Sequence, residues 1–438
     1  MIWDPEHECA DRAALTRLQL QRLRTVTARI YARVPFYRER LDAAEVRPET
    51  ITTLDDISRL PLTTKADLRR LYPFGLFAVD AGEPVEYHCS SGTTGSSTLV
   101  GYTRTDLEIW SEVMARTLAA GGARRGDLMH NAYGYGLFTG GLGFHYGALR
   151  LGARVLPVSS GHTARQVRLL RELRATVLAC TPSYALHLAE VVEESGEGPL
   201  ALRAGLLGAE PWSEGMRAEI QERLGIVAVD VYGLSEVMGP GVACECAEVR
   251  DGLHINEDHF LAEVVDPDTG APVDEGQSGE LVLTTLTKEA SPVLRYRTGD
   301  LTALNREPCP CGRRGVRMAR VRGRVDDMLV VRGVNVFPAD VEAVLTAQRE
   351  LAPAYQLVVD RQGAMDDLEV QVEARERLDP AAAAGLGTRV AGVIREQLGL
   401  RARVTVLPPK QLPRSEGKAL RVVDRRAVGQ SGIGKRAG

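Results

Sequence analysis

The sequence predicts an α/β protein of two domains: a large N-terminal domain built on mostly parallel sheets, and a small α/β C-terminal domain. Three observations lead there. The chain has 438 residues, more than one ordinary core holds. Between residues 105 and 231, short apolar runs of strand length alternate with segments of helical periodicity, the pattern of a sheet covered on both faces. Behind a charged, glycine-containing stretch, a second and shorter α/β series begins, which sets the division at 1–325 and 326–438.

Apolar residues recur at helical spacing over 11–36, and 61–68 reads as a loop entering a capped helix. The stretch 89–97 consists almost wholly of glycine and small hydroxyl residues and follows Val85, Glu86 and Tyr87. Next come a helix over 105–120, a buried strand over 153–158, a helix over 165–174 and a strand over 176–180. An apolar strand over 226–231 closes the series. The second series reads as strand 328–331, a turn at Gly333, helix 339–347, strands 355–359 and 368–374, helix 380–398 and strand 403–407. The polar, glycine-rich tail, 427–438, is expected to be disordered.

Composition narrows the function. With 54 basic and 58 acidic residues the net charge is −4, and no dense basic block marks a nucleic-acid surface. No apolar run approaches the roughly 20 residues that span a bilayer, and residues 1–12 carry no signal-peptide pattern. A soluble cytoplasmic protein is expected. The cysteines, Cys9, Cys89, Cys180, Cys244, Cys246, Cys309 and Cys311, are odd in number, so the two close pairs read as metal candidates rather than disulfides.

Several short segments carry chemistry. Ser90, Ser91, Gly92, Thr93, Thr94 and Gly95 form a loop able to wrap a polyphosphate: glycines let the backbone approach, and hydroxyls and N–H groups donate to the oxygens. It is not a Walker loop, because no Gly-Lys-Ser/Thr follows. Tyr232, Gly233, Leu234, Ser235 and Glu236 fall at the end of a strand, where a ring can stack on a base, a hydroxyl can bind phosphate and a carboxylate can hold Mg²⁺. Asp300 sits beside a glycine turn and suits the paired hydroxyls of a ribose. Gly323, Arg324, Val325, Asp326 and Asp327 lie where the first series ends and suit a hinge. Lys418 stands on a polar stretch near the end of the sequence, and by itself reads as a solvated charge.

The ordered set of glycine-rich loop, Tyr-Gly-x-Ser-Glu, Thr-Gly-Asp, Gly-Arg-x-Asp and terminal Gly-Lys resembles the adenylate-forming superfamily of acyl-CoA ligases. Within it the chain is most similar to the phenylacetate-CoA ligase family, through 133–141, 208–212, 232–242, 283–300 and 326–338. The resemblance runs from about residue 5 to 425. It implies that Ser90 to Gly95 bind the ATP phosphates, with Glu210, Pro211, Tyr232, Gly233 and Ser235 also in the ATP/AMP site. Glu236 would hold Mg²⁺, Asp300 the ribose, and Arg324 ribose or phosphate. Asp326 would be the hinge, and Lys418 would stabilise charge as the carboxylate attacks the α-phosphorus.

By the same resemblance Tyr135, Phe138, Gly208, Ala209 and Pro240 line the aryl-acid pocket. Phe144 stands where a smaller residue is expected, and two readings stay open: its ring shortens the pocket and favours a benzoate-type acid, or it faces elsewhere. Cys246, His254, Cys309 and Cys311 make a plausible tetrahedral Zn²⁺ set, with Cys244 as the alternative to His254.

The reading is therefore an ATP- and Mg²⁺-dependent aryl-CoA ligase with coenzyme A as acceptor and a structural zinc. Its substrate is an aromatic acid of the phenylacetate, benzoate or aminobenzoate type, and a homodimer is admitted. The alternatives are an adenylating enzyme that delivers its aryl group to a carrier protein or to an amine or hydroxyl, and a nucleotide-binding regulator without catalysis.

Overall fold

The computed structural model describes residues 1–89, 98–331, 334–362, 365–415 and 417–426. The expected turn at Gly333 and the tail 427–438 lie outside them.

Local chemistry sets most helix starts. α1 (Pro5–Glu8) is followed by α2 (Arg12–Arg33), which is capped by the Asp11 carboxylate accepting from the Ala14 N–H. The single helix expected over 11–36 breaks at Val34: this residue precedes Pro35 and is extended, and α3 (Pro35–Ala43) starts anew with the proline in its first turn. α4 (Lys65–Arg70) opens on a reciprocal cap between Thr64 and Asp67, as its loop-to-helix sequence predicts. α5 (Arg104–Ala120) repeats that device with Thr103 and Asp106. α6 (Thr139–Leu151), α7 (Thr163–Glu172), α8 (Pro182–Glu194) and α9 (Glu214–Leu224) follow.

The chain divides into two compact units. The first comprises Met1–Thr181, Val191–Ala209 and Leu224–Val321; the second comprises Pro182–Glu190, Glu210–Arg223 and Arg322–Gly438.

In the first unit, β1 (Glu86–Cys89) and β2 (Leu99–Tyr102) form an antiparallel hairpin. Its large sheet draws on β3 (Leu128–Asn131), β4 (Arg154–Pro157), β5 (Val177–Cys180), β6 (Ala204–Gly208), β7 (Val227–Leu234), β8 (Gly239–Cys244) and β9 (Leu253–Ile255). With β13 (Leu304–Asn305) and β14 (Arg317–Met318) it has nine strands in the order β13-β14-β9-β8-β7-β6-β5-β3-β4. The strands from β4 to β7 are parallel, as expected, whereas β8, β9, β14 and β13 add an antiparallel flank. A separate antiparallel sheet holds β10 (Phe260–Val265), β11 (Gly279–Thr285) and β12 (Tyr296–Thr302). The expectation of mostly parallel sheets thus holds for one half of the large sheet. It failed elsewhere because β9 and β11 are buried at every position and show no alternation by which antiparallel strands are recognised. Trp110, Val113, Met114 and Leu118 of α5 are fully buried in the core of this unit.

The second unit contains β15 (Gly323–Arg324) and the hairpin of β16 (Leu329–Val331) and β17 (Val334–Val336). Four further strands, β18 (Leu351–Gln362), β19 (Met365–Ala374), β20 (Arg403–Leu407) and β21 (Val422–Asp424), order as β20-β19-β18-β21. Helices α10 (Pro338–Thr346) and α11 (Pro380–Leu398) bury Val341, Leu345, Val390 and Ile394 in the same cluster as Leu357 and Val370 of the sheet. Strand β16, helices α10 and α11 and strands β18 to β20 match the expected series, with prolines opening both helices and Asp379 capping α11, whereas β15, β17 and β21 were not expected.

Candidate active site

Parallel strands β3, β6 and β7 run in one direction, so the segments leaving them emerge at one edge of the sheet, where ligands of such folds sit. These segments hold Tyr135 and Phe138, Gly208 and Ala209, and Ser235 and Glu236.

Two glycines are required there. A Cβ on Gly208 would lie 2.1 Å from the Val231 carbonyl oxygen, and one on Gly233 2.0 Å from that of Gly239. Either would push neighbouring strands apart. Ala209 holds a left-handed backbone at φ 71°, a strained conformation for a residue with a side chain.

Tyr232, still within β7, donates its hydroxyl to Asp300 Oδ2 at 2.6 Å. Asp300 lies within β12 beside a break in register with β11, so the expected glycine turn is a bulged strand. The neighbouring arginines are structural: Arg295 pairs with Glu263 at 2.9 Å and Arg297 with Glu280. Ser235 and Glu236 occupy the turn between β7 and β8 and are 5% and 7% exposed. Ser235 Oγ is 3.0 Å from Thr139 Oγ1, and Thr98 Oγ1 donates to Glu236 Oε1 at 3.5 Å. Ser90, Ser91, Gly92, Thr93, Thr94 and Gly95 lie outside the described residues.

On the acyl side, Tyr135 is half-buried and accepts from Asn131 Nδ2 at 2.7 Å, with His145 Nδ1 at 3.2 Å from its hydroxyl. Burial pushes this phenol up to about 12, so it stays neutral. Phe138 is half-buried at the start of α6. The Pro240 carbonyl accepts from Trp110 Nε1 at 2.9 Å.

Of the two readings of Phe144, the structure shows the ring packed in the core. It is 1% exposed and stacked on Tyr133, with centroids 4.8 Å apart and planes at 15°. The helical turn of α6 directs it into the core rather than over a pocket.

In the second unit, the Glu210 carboxylate accepts from the Ser183 N–H at 2.7 Å and from the Ala419 N–H at 2.8 Å. Lys418 therefore neighbours a backbone group held by Glu210, and its own carbonyl accepts from Ser415 Oγ at 2.8 Å. Pro211 follows Glu210 in an exposed position. Arg324 is half-buried with its Nε 3.8 Å from Asp327 Oδ2, and Asp326 lies in the short turn Val325–Asp327.

The antiparallel flank of the first unit assembles the cysteine cluster. Cys246 follows β8, His254 lies in β9, and Cys309 and Cys311 precede β14. Their ligand atoms all lie within 4.8 Å of one another, with Cys246 and Cys309 sulfurs 3.9 Å apart and Cys311 Sγ 3.5 Å from His254 Nε2. Ligands of a tetrahedral zinc at about 2.3 Å stand roughly 3.7 Å apart, so the donor set fits. Cys244 is excluded: its thiol turns away to the Thr117 and Glu245 carbonyls, and burial pushes it well above the usual thiol range.

Two buried groups escaped the sequence reading. His88 is 1% exposed, with Nε2 2.7 Å from Glu86 Oε1 and Nδ1 3.1 Å from the Leu137 carbonyl. Lys288 is 2% exposed. Both read as ordinary polar residues in the chain, and only burial marks them.

Comparison with known proteins places the chain in a family. The AMP-binding enzyme model matches residues 14–286, and the AMP-binding enzyme C-terminal domain matches 333–426. Phenylacetate-coenzyme A ligase of Thermus thermophilus is 53% identical over 97% of this chain and 99% of its own. The Escherichia coli protein of the same name is 48% identical over 96% and 97%. A crystal structure of 2-hydroxyisobutyryl-CoA ligase in the postadenylation state, in complex with R3-HIB-AMP, superposes with a TM-score of 0.92 at 31% identity, covering 98% of this chain and 94% of that one. With an α/β core of the same fold and the match running nearly end to end, the chain belongs to the AMP-binding enzymes and, among them, to the phenylacetate-coenzyme A ligase family.

Proposed function

We propose that this protein activates an aromatic carboxylic acid with ATP as an aryl-adenylate and then forms the coenzyme A thioester. The observation that carries the reading is the full-length similarity to phenylacetate-coenzyme A ligases. In the first step a carboxylate oxygen attacks the α-phosphorus and pyrophosphate leaves. In the second, the thiol sulfur attacks the acyl carbon, and AMP leaves with the electron pair of the broken C–O bond.

The residues divide this work by position and charge more than by covalent chemistry. Tyr232 stacks on the adenine while its hydroxyl aims Asp300 at the ribose. Residues 90–95, Ser235, Glu210 and Pro211 complete the nucleotide site with Arg324. Glu236 holds Mg²⁺, which when bound neutralises phosphate charge. Tyr135, Phe138, Gly208, Ala209 and Pro240 receive the aromatic ring. Lys418 stabilises the charge that develops at the α-phosphate, and rotation about Asp326 exchanges the two half-reactions between domains 1–325 and 326–438. Cys246, His254, Cys309 and Cys311 hold a structural zinc, remote from these roles.

The test is pyrophosphate release with a panel of phenylacetate, benzoate and aminobenzoates, followed by thioester formation with free coenzyme A and no protein partner. Turnover with an aromatic acid and free coenzyme A supports the proposal. Adenylation without a thioester would point instead to a carrier protein as acceptor.

A further inference from the structure

Lys288 presents a puzzle of energetics. Its ammonium lies 3.1 Å from the centroid of the Tyr102 ring and 3.8 Å from Met238 Sδ, and among the described residues no carboxylate pairs with it. Asp106 and Glu86 attract the ammonium through space but do not pair with it, and removing an ammonium from water on those terms is unfavourable, whereas a methionine of similar length would fill the same space without that penalty. A charge kept against the interest of folding signals a functional constraint.

The neighbours show what the charge holds. Tyr102 ends β2 and pairs across the hairpin with Glu86 of β1, the strand from which residues 90–97 run. Its hydroxyl donates to the Met238 carbonyl at 2.7 Å. Met238 closes the turn that contains Ser235 and Glu236, with its N–H on the Leu234 carbonyl at 3.1 Å. Trp110 stacks on the other side of the joint, its centroid 4.9 Å from that of Tyr102 with planes at 22°. A desolvated cation on a tyrosine face is held more firmly than one in water, so Lys288 clasps ring and turn together.

We propose that Lys288 is a positioning residue for adenylation: its ammonium, set on Tyr102 and against Met238, locks the β1–β2 hairpin to the Glu236 turn. Strands β1 and β2 and the Glu236 carboxylate thereby keep one register. This rests on the adenylation reading above. Lys288 touches no reacting atom and acts through Tyr102 and Met238.

Below pH 7, where the native ammonium keeps its proton, Lys288→Met removes the charge and keeps the volume. Its expected signature is a kcat for pyrophosphate release lower by about 100-fold, the scale of an ångström of misplacement, with the KM for the aromatic acid unchanged and thermal stability equal or higher. Trp110 emission should shift, since the ring it stacks on is released. Tyr102→Phe keeps the ring but loses the bond to Met238, so it should lower kcat less. The double variant should fall short of the product of the two effects, because both act on one joint.

Wild-type kcat and emission in Lys288→Met would overturn the proposal. So would a fall in stability with both substrate KM values raised and kcat intact, the pattern of a purely structural lysine. Should Lys288→Met not fold, Tyr102→Phe with wild-type kcat overturns it alone. A wild-type protein that releases no pyrophosphate with any aromatic acid would refute the adenylation reading instead, and Trp110 emission would still report whether the joint exists.

Discussion

Tyr232 Oη donates a 2.6 Å hydrogen bond to Asp300 Oδ2, joining the last turn-ward residues of the large sheet to the second sheet of the first unit. The bond holds the Asp300 carboxylate of β12 to the ring of Tyr232 in β7. Hydrogen bonds to charged groups contribute about 1.5–3 kcal/mol. Tyr232→Phe should therefore raise the KM for ATP by about 10-fold or more while the KM for the aromatic acid holds. Steady-state kinetics with each substrate varied decides this, and equal shifts in both would refute the assignment.

Lys418→Ala should slow adenylation by about 100- to 1,000-fold, the usual effect of removing one contact to developing charge. Thioester formation from pre-made aryl-adenylate should survive. Rapid-quench measurement of each half-reaction separates the two, and equal loss in both would remove Lys418 from its proposed task.

Elemental analysis should find about one zinc per chain. The double variant Cys309→Ser/Cys311→Ser should lose it and unfold at lower temperature, because metal binding energy is folding energy. Loss of Cys244 should leave the metal in place, since its thiol faces Thr117. Full stability in metal-free protein counts against the site.

Phe144→Ala should cost about 3–5 kcal/mol of stability, the range for a buried aromatic ring. Because the ring stacks on Tyr133 in the core, the ratio of kcat/KM for benzoate to that for phenylacetate should stay constant. Denaturant unfolding and paired kinetics check it. A ratio that moves towards phenylacetate would restore Phe144 to the pocket.

Burial pushes the Lys288 ammonium down to about 7, against the opposing pull of Asp106 and Glu86. In the unfolded chain its value returns to about 10.4. Between pH 7 and that value the unfolded chain binds a proton the native state does not, so this lysine makes stability rise with pH across the window. Below pH 7 both states are protonated and the penalty is complete. The stability advantage of Lys288→Met over wild type should consequently shrink between pH 7 and 9, as read by urea unfolding at both values. A constant difference would mean the ammonium is not desolvated.

Much of this protein is written locally. The caps Asp11, Thr64 and Thr103, the prolines opening α10 and α11, and the short apolar runs of β5 and β7 place their elements because each acts on residues within a turn or a strand of itself. The proposed site motifs stand out for the same reason: Tyr232 to Glu236 and Cys309 to Cys311 are read from their spacing along the chain. Tertiary structure decided what depends on partners far away in sequence. The antiparallel flank was hidden because a strand buried on both faces carries no alternation. His254 rather than Cys244 stands with Cys246, Cys309 and Cys311, because β9 brings the imidazole to the cysteines while the Cys244 thiol turns to the Thr117 carbonyl. Phe144 was open to either placement in the sequence, and the rotation of α6 carries it to Tyr133. Lys288 reads as a solvated charge in any sequence, and only the packing of Tyr102 and Met238 around it takes its water away, because burial belongs to the assembled core and not to the residue.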